Sequence, residues 1–310
     1  MVLFVHFLNV PVIQKEDFHY VLKSGTSASI FTRDLVSQTD LKFPKLFLLL
    51  VGLLHDGKYL RAGEYVFPVD SKPLNILNRV VSGKVVYHKF TIIEGWSYKE
   101  LMQAMNQNTS IKHVLSNDSA QVVAQKLGVN RKTPEGLLLP DTYCYTLNTT
   151  DLELLQWAYQ SMKDYMGKAW ADRDKTFKYE NTYQALIVAS MIEKETAVHE
   201  EKPLIAAVIL KRLKRWIPLQ IDATVIYGLQ DRNIRKLTKQ DLHTKTPYNT
   251  YIKYGLPPTP ISMPSEDSIQ AALHPAKTDV LYFVAKRDGH HEFSKSLKQH
   301  NSAVKKYVLN

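Results

Sequence analysis

The sequence predicts an α+β fold, with small strand–turn–helix units in front and a helix-rich second part behind. Three observations predict it. Short β-branched and aromatic runs in the first third each lead through a turn into a helical stretch. Three stretches in the middle, 152–168, 181–196 and 203–215, carry apolar residues at helical spacing. Beyond Leu242 the prolines at 247, 257, 258, 260 and 264 make the chain loop-rich, before a strand at 281–285 and a closing helix at 293–309.

Taken in order, residues 1–12 (MVLFVHFLNVPV) are apolar but too short to span a bilayer, which takes about 20 apolar residues. Tyr20-Val-Leu-Lys-Ser-Gly reads as a strand and a turn, followed by a helix ending at Ser37. The apolar run at 43–54 (FPKLFLLLVGLL) predicts a buried helix. Tyr65-Val-Phe-Pro is another short strand, with a helix at 73–81 behind it. At Phe90-Thr-Ile-Ile-Glu-Gly the pattern returns. Ser97 and Glu100 then stand at the spacing of a capping box, in which each side chain satisfies the other's free backbone N–H. A boundary is expected at 86–89, which separates a front module at 13–88 from a second domain at 89–310.

The helix at 181–196 is apolar almost all round and is expected to be buried. The next helix closes on Lys211, Arg212, Lys214 and Arg215, which complement the negative end of its dipole. Asp222 and Gly228 bracket a further short helix, with Asp222 as N-cap.

Lys and Arg number 40 against 30 Asp and Glu, a net charge of +10. Such an excess suits an anionic surface or an acidic polymer. There is no arginine-rich run and no nucleic-acid motif, so nucleic acid is not an expected partner. The single cysteine, Cys144, excludes an internal disulfide and a cysteine-built zinc site. His291 and His300 lack the spacing of a metal site.

The stretch ASMIEKETAVHEEK at 189–202 turns from apolar to acidic and holds four carboxylates. Helix residues advance by about 100°, so Glu195 shares a face with Val188, Met191 and Ile192, and Glu193 shares one with Leu186, Ala189 and Ser190. The two acids point to different sides and cannot share a proton. Glu195 continues the bulkier stripe, where apolar walls resist ionisation. A carboxyl kept protonated near neutral pH is what a general acid requires. The bland alternative is an ion pair, with His199 four residues on. Glu193 is placed to hold backbone or a neighbouring loop. Glu200 and Glu201 precede Pro203 at a helix start, where acidic groups favour the dipole.

Several longer motifs occur in one order: Glu135-Gly-Leu-Leu-Leu-Pro-Asp-Thr-Tyr143, the ASMIEKET stretch, Leu219-Gln-Ile-Asp-Ala-Thr-Val-Ile-Tyr-Gly228, Tyr248-Asn-Thr-Tyr-Ile-Lys-Tyr-Gly-Leu-Pro-Pro258, Ala271-Ala-Leu-His-Pro275, Leu281-Tyr-Phe-Val-Ala285, and His291-Glu-Phe-Ser with His300-Asn301. On these the chain resembles the endolytic murein transglycosylase family, the YceG-like proteins. The resemblance implies a LysM-like module in front, matching 20–37, and a mixed α/β catalytic domain whose buried helix carries the catalytic glutamate. That glutamate matches the second acid of Glu-Lys-Glu, Glu195. It also implies cleavage of the β-1,4 bond between N-acetylmuramic acid and N-acetylglucosamine in peptidoglycan, a 1,6-anhydro end as product, and a part in ending nascent glycan strands beside the synthases. No cofactor is implied. A pyridoxal-phosphate reading needs a Schiff-base lysine, and Lys194 on its helix lacks that context.

Such proteins sit in the bacterial inner membrane through one N-terminal span, with the catalytic domain in the periplasm. Residues 1–12 are expected to be a remnant of that anchor. Two further departures stand out: Asp222-Ala-Thr224 replaces Asp-Pro-Thr, and Met263-Pro-Ser265 replaces Asn-Pro-Gly. Substrate contacts are expected from Gln220, Asp222, Tyr248, Asn249, Tyr251 and Glu135, since amides bond sugar hydroxyls and N-acetyl groups and rings stack on sugar faces. Asn249 has a turn-shaping alternative and Glu135 a structural one. Two other functions compete: a peptidoglycan-binding scaffold with lost activity, and a muramidase-type hydrolase in which Asp222 or Glu193 activates water.

Overall fold

In the computed structural model, which describes residues 2–55, 60–229 and 237–309, each sheet among the described residues has two strands, and helices carry most of the core. The chain divides into two units: Met1–Phe90 with Ser110–Lys112 and Cys144–Thr149, and Thr91–Thr109 with His113–Tyr143 and Thr150–Asn310.

The first unit holds α1 (Val2–Asn9), β1 (Phe18–Leu22), α2 (Ala28–Gln38), α3 (Pro44–His55), β2 (Gly63–Phe67) and α4 (Pro73–Ser82). β1 and β2 pair antiparallel, with Tyr20 opposite Tyr65 and Phe18 opposite Phe67. Alternation along each strand puts Tyr20, Leu22, Tyr65 and Phe67 in the core with Phe31, Leu35, Phe47 and Ile76. Ser27 starts α2 by accepting the Ile30 N–H at 3.3 Å. The expected buried helix at 43–54 forms as α3 but buries one face. Phe47, Leu50 and Val51 are inside, whereas Leu49, Leu53 and Leu54 are exposed. Its packing partners are α2 and α4, so an all-round apolar sequence is covered on that side alone. The N-terminal segment folds as a short helix whose Phe7 joins the core. No helix among the described residues is long and apolar enough to cross a membrane.

β3 (His88–Thr91) pairs with β4 (Thr142–Tyr145). In the second unit, α5 (Tyr98–Gln107) begins with the expected capping box: Ser97 N–H donates to Glu100 Oε2 at 2.7 Å, and Glu100 N–H to Ser97 Oγ at 3.3 Å. Then follow α6 (Ala120–Lys126), α7 (Asp151–Asp172), α8 (Thr182–Glu195), α9 (Lys202–Lys214) and α10 (Asp222–Gly228). α11 (Glu266–Leu273), β5 (Tyr282–Ala285), β6 (His291–Ser294) and α12 (Leu297–Tyr307) complete the chain.

α8 is the centre of this unit. α9, α10 and α11 all pack on it, and every residue from Ala185 to Ile192 is buried, each large aliphatic one worth about 1.5–3 kcal/mol. Two expectations fail here. The loop-rich stretch beyond Leu242 contains α11, started where Ser265 Oγ accepts the Ser268 N–H at 3.2 Å. The closing helix begins at Leu297 rather than Phe293, because residues 291–294 pair as β6 with β5, Phe293 opposite Phe283. Gly289, at φ +87°, makes that hairpin turn.

Candidate active site

α8 delivers its last residue, Glu195, into a cleft of about 690 Å³. The start of α5 supplies Ser97, Lys99, Glu100 and Gln103 to the walls, and α10 supplies Asp222, Ala223, Ile226 and Tyr227. Glu195 is half-buried. Burial, reinforced by the negative charge of Asp222, pushes its carboxyl up to about 8. An ordinary carboxylate is ionised at neutral pH; this one keeps its proton.

Glu193 lies on the other side of the helix, as the spacing predicts. It accepts from Ser265 N–H at 2.9 Å, from the hydroxyls of Ser265 and Ser268 (the latter at 2.6 Å), and faces Lys202 Nζ at 3.4 Å. It thereby holds the start of α11. The Met263-Pro-Ser265 segment is bonded at both ends. Ser265 caps α11 and binds Glu193, while Met263 exchanges backbone bonds with Gly95 and Trp96 at 2.8 and 2.7 Å.

His199 pairs with Asp267 at 2.8 Å, so the bland ion-pair reading of Glu195 finds no support there. Glu200 is exposed, but Glu201 is buried and does more than favour a dipole. Its carboxylate meets the His291 N–H at 2.9 Å, His291 Nδ1 at 2.7 Å and His290 Nδ1 at 3.3 Å, tying the segment after α8 to β6. Burial alone raises this carboxyl; the bonds from His291 outweigh it and hold it low. The ring of His300 stacks on Tyr282. Among the described residues no group of three His, Cys, Asp or Glu side chains is placed to hold a metal.

The remaining expected residues take different places. Asp222 is not the N-cap of α10. Ile221 takes that position and offers no side-chain bond, and Asp222 stands in the first turn, where the Tyr251 hydroxyl donates to it at 2.5 Å. Asp222 and Glu195 therefore share the cleft, and Tyr251 joins them through Asp222. Burial, and then Asp222, hold the Tyr251 hydroxyl above its ordinary range, so it remains a donor. Gln220 adopts a left-handed backbone, φ +55°, unusual for a residue with a Cβ. Its Oε1 accepts from Arg212 Nη2 at 3.0 Å, and Arg212 Nη1 donates to the Leu219 carbonyl at 2.7 Å.

Tyr248 is one step removed: its ring meets Tyr227 edge-on, with centroids 4.8 Å apart, and its hydroxyl bonds Thr259 at 3.0 Å. Asn249 is fully buried and shapes the loop. Its Nδ2 donates to the Leu242 and Thr244 carbonyls at 3.0 and 2.9 Å, and its Oδ1 accepts the Tyr251 N–H at 2.9 Å. The turn-shaping alternative is the one its bonds support. Glu135 is also buried, accepting the Tyr98 N–H at 3.0 Å and the Tyr227 hydroxyl at 2.9 Å. It joins the start of α5 to α10 beneath the cleft. Burial pushes it up to about 7, partly offset by those two bonds.

Tyr227, Lys194 and Arg212 belong to this neighbourhood and escape the sequence reading. Lys194 lines the cleft and donates to the Gly95 carbonyl at 3.1 Å. Tyr227 was reachable from sequence: Asp222, Ala223, Ile226 and Tyr227 fall on one face at helical spacing. Lys194 and Arg212 read as a helix surface and a helix end, and only the tertiary fold sets Lys194 at the cleft and buries Arg212.

The YceG-like family matches residues 20–306. The chain belongs to that family. This YceG-like protein is 32% identical over 304 residues to the endolytic murein transglycosylase of Bacillus subtilis, covering 93% of this chain and 84% of that one. It is 33% identical over 284 residues to the endolytic murein transglycosylase of Streptococcus pneumoniae, spanning 80% of this chain and about half (51%) of the pneumococcal one. In structure it resembles a YceG-like protein from Listeria monocytogenes. The TM-score is 0.59 at 27% identity, over 94% of this chain and all (100%) of the other.

Proposed function

We propose that this YceG-like protein is an endolytic peptidoglycan lytic transglycosylase, with Glu195 as its single acid/base. The observation that carries the reading is a half-buried carboxyl in an open cleft, pushed up to about 8 so that it holds a proton at neutral pH. The names of the relatives from Bacillus subtilis and Streptococcus pneumoniae support peptidoglycan as the substrate. The bond cut is the β-1,4 link from N-acetylmuramic acid to N-acetylglucosamine.

Protonated Glu195 gives its proton to the glycosidic oxygen, and the bond to the muramyl anomeric carbon breaks as that carbon takes on oxocarbenium character. N-Acetylglucosamine leaves as a free 4-hydroxyl. Glu195, now a carboxylate, takes the proton of the muramyl 6-hydroxyl, whose oxygen closes on the anomeric carbon. One proton is given and one regained, and no water is consumed. Asp222, held by Tyr251, supplies negative charge beside the developing cation. The Tyr227–Glu135 bond fixes the cleft wall formed by α10.

A second reading keeps one specific observation in its favour. Asp222 shares the cleft with Glu195, so a hydrolase with Asp222 activating water has its two carboxylates in place. Glu193 is no candidate for that role, since its carboxylate is spent on Ser265, Ser268 and Lys202. Mass spectrometry of products from purified glycan strands decides between them. Transglycosylation yields 1,6-anhydro ends, one water lighter than the reducing ends of a hydrolase; reducing ends alone overturn the proposal, and intact strands favour the scaffold reading.

The wider setting follows from the same reading. Residues 13–88 serve as a LysM-like contact with peptidoglycan, the site of action is the periplasmic face of the inner membrane, and cleavage ends nascent strands near the synthases.

A further inference from the structure

α9 ends in a Schellman motif. The Trp216 N–H donates to the Leu213 carbonyl at 3.2 Å and the Ile217 N–H to the Arg212 carbonyl at 2.9 Å, with Arg215 as C-cap. The residue after the C-cap must adopt a left-handed backbone, and glycine is the usual occupant because it has no Cβ to clash. Here it is Trp216, at φ +54°. A bulky side chain there is strained. Nor is the strain offset by burial, since Trp216 is 71% exposed. Its partner is Tyr254, 60% exposed, whose ring meets Trp216 edge-to-face with centroids 6.1 Å apart. Two large aromatic rings thus stand together in solvent, one of them on a backbone position that disfavours it. Strain without a packing benefit marks a residue kept for contact with something else.

We propose that Trp216 and Tyr254 form an aromatic platform that stacks on a sugar ring of the glycan strand beyond the cleft; the proposal rests on the reading of that cleft as a glycan site. Its position argues for this occupant. Tyr254 lies three residues from Tyr251, whose hydroxyl bonds Asp222 in the cleft wall, and three residues reach at most about 11 Å. Trp216 meets Tyr254 ring to ring, so it shares that neighbourhood. A strand held against Glu195 and Asp222 that runs on past Tyr251 brings its next sugars to the platform. The chemistry agrees. Sugars present flat C–H faces to aromatic rings and hydroxyls to a polar rim, and exposed Lys214, Arg215 and Lys253 flank the pair in sequence. An endolytic enzyme must grip a strand on both sides of the cut, and a distal platform supplies grip away from the reacting bond.

The test measures binding of peptide-free glycan strands to the intact protein carrying Glu195→Gln, so that strands survive the titration. Adding Trp216→Gly or Tyr254→Ala raises the dissociation constant about tenfold or more, the scale of losing one stacked ring. Tyr254→Phe keeps the affinity. Trp216→Gly also melts no lower than its parent, because glycine relieves the left-handed strain, and this separates lost contact from lost structure. Unchanged strand affinity in both variants overturns the proposal. So does unchanged strand affinity with Trp216-dependent binding to phosphatidylglycerol vesicles, which makes the platform a lipid contact. The cleft reading fails separately. If the unsubstituted protein leaves strands intact while Trp216→Gly still weakens their binding, the acid/base assignment falls and the platform stands.

Discussion

At the residue scale, the rise of the Glu195 carboxyl to about 8 has two causes, burial first and Asp222 second, and they can be separated. The acid must be protonated to act, so kcat/KM falls as pH rises through the value of Glu195 in the free enzyme. Asp222→Asn removes the neighbouring charge and lowers that value. The alkaline limb of the pH–rate profile then shifts to lower pH; a limb that stays in place contradicts the coupling.

Linkage gives a second consequence. The folded-state value lies above the ordinary carboxylate value, so the folded protein holds this proton more tightly than the unfolded chain. The associated stability is full below the unfolded value of about 4.5 and is lost as pH rises through about 8. Gln at 195 cannot ionise. Calorimetry of Glu195→Gln is therefore expected to show a melting temperature that gains on the parent between about pH 5 and about pH 9. A pH-independent difference contradicts the raised value. The direction of Glu195 was legible in sequence from the stripe it continues. Its coupling to Asp222 was not, because Asp222 looked like an N-cap until the fold placed Ile221 there.

Among the elements, the junction of α8 with α11 decides whether Glu195 is held in place. Glu193 and Lys202 leave only 8% and 7% of their side chains exposed, and Glu193 also gathers Ser265 and Ser268. Removing one member of such a buried pair strands the other, so Glu193→Ala is expected to cost about 3 kcal/mol in urea unfolding. A loss under about 1 kcal/mol shows the network to be dispensable. The Glu135 turn makes a second test. Gly136 sits at φ +72°, and a Cβ there collides with the Pro260 ring. Gly136→Ala therefore destabilises by more than about 1 kcal/mol and displaces Glu135 from Tyr98 and Tyr227, with a fall in turnover.

Most helices were legible because their caps are local. Ser97 with Glu100 and Pro203 in the first turn of α9 stand where sequence puts them, and Asn181, expected as the first residue of its helix, is the N-cap of α8. α11 was missed although its Ser265 cap is local, because the prolines from 247 to 264 in front of it read as loop. β6 was missed because a four-residue strand shows too little alternation to outweigh the helical pattern behind it.

On the scale of the whole molecule, helices of one unit converge on α8, and α8 ends in the acid that the family resemblance and the helix geometry both single out. What sequence could not show was the other wall. Lys194 comes to the cleft through packing, Arg212 turns to Gln220 and the Leu219 carbonyl, and Asn249 turns away from the cleft to bond the backbone of its own loop. The single-acid account makes a sharp demand on the complete protein. Purified glycan strands are digested with the parent and with Glu195→Gln, each checked by circular dichroism, and 1,6-anhydro ends are counted by mass spectrometry. The account predicts anhydro ends from the parent and none above background from a folded Glu195→Gln protein; anhydro ends at the parent's rate from that variant contradict it.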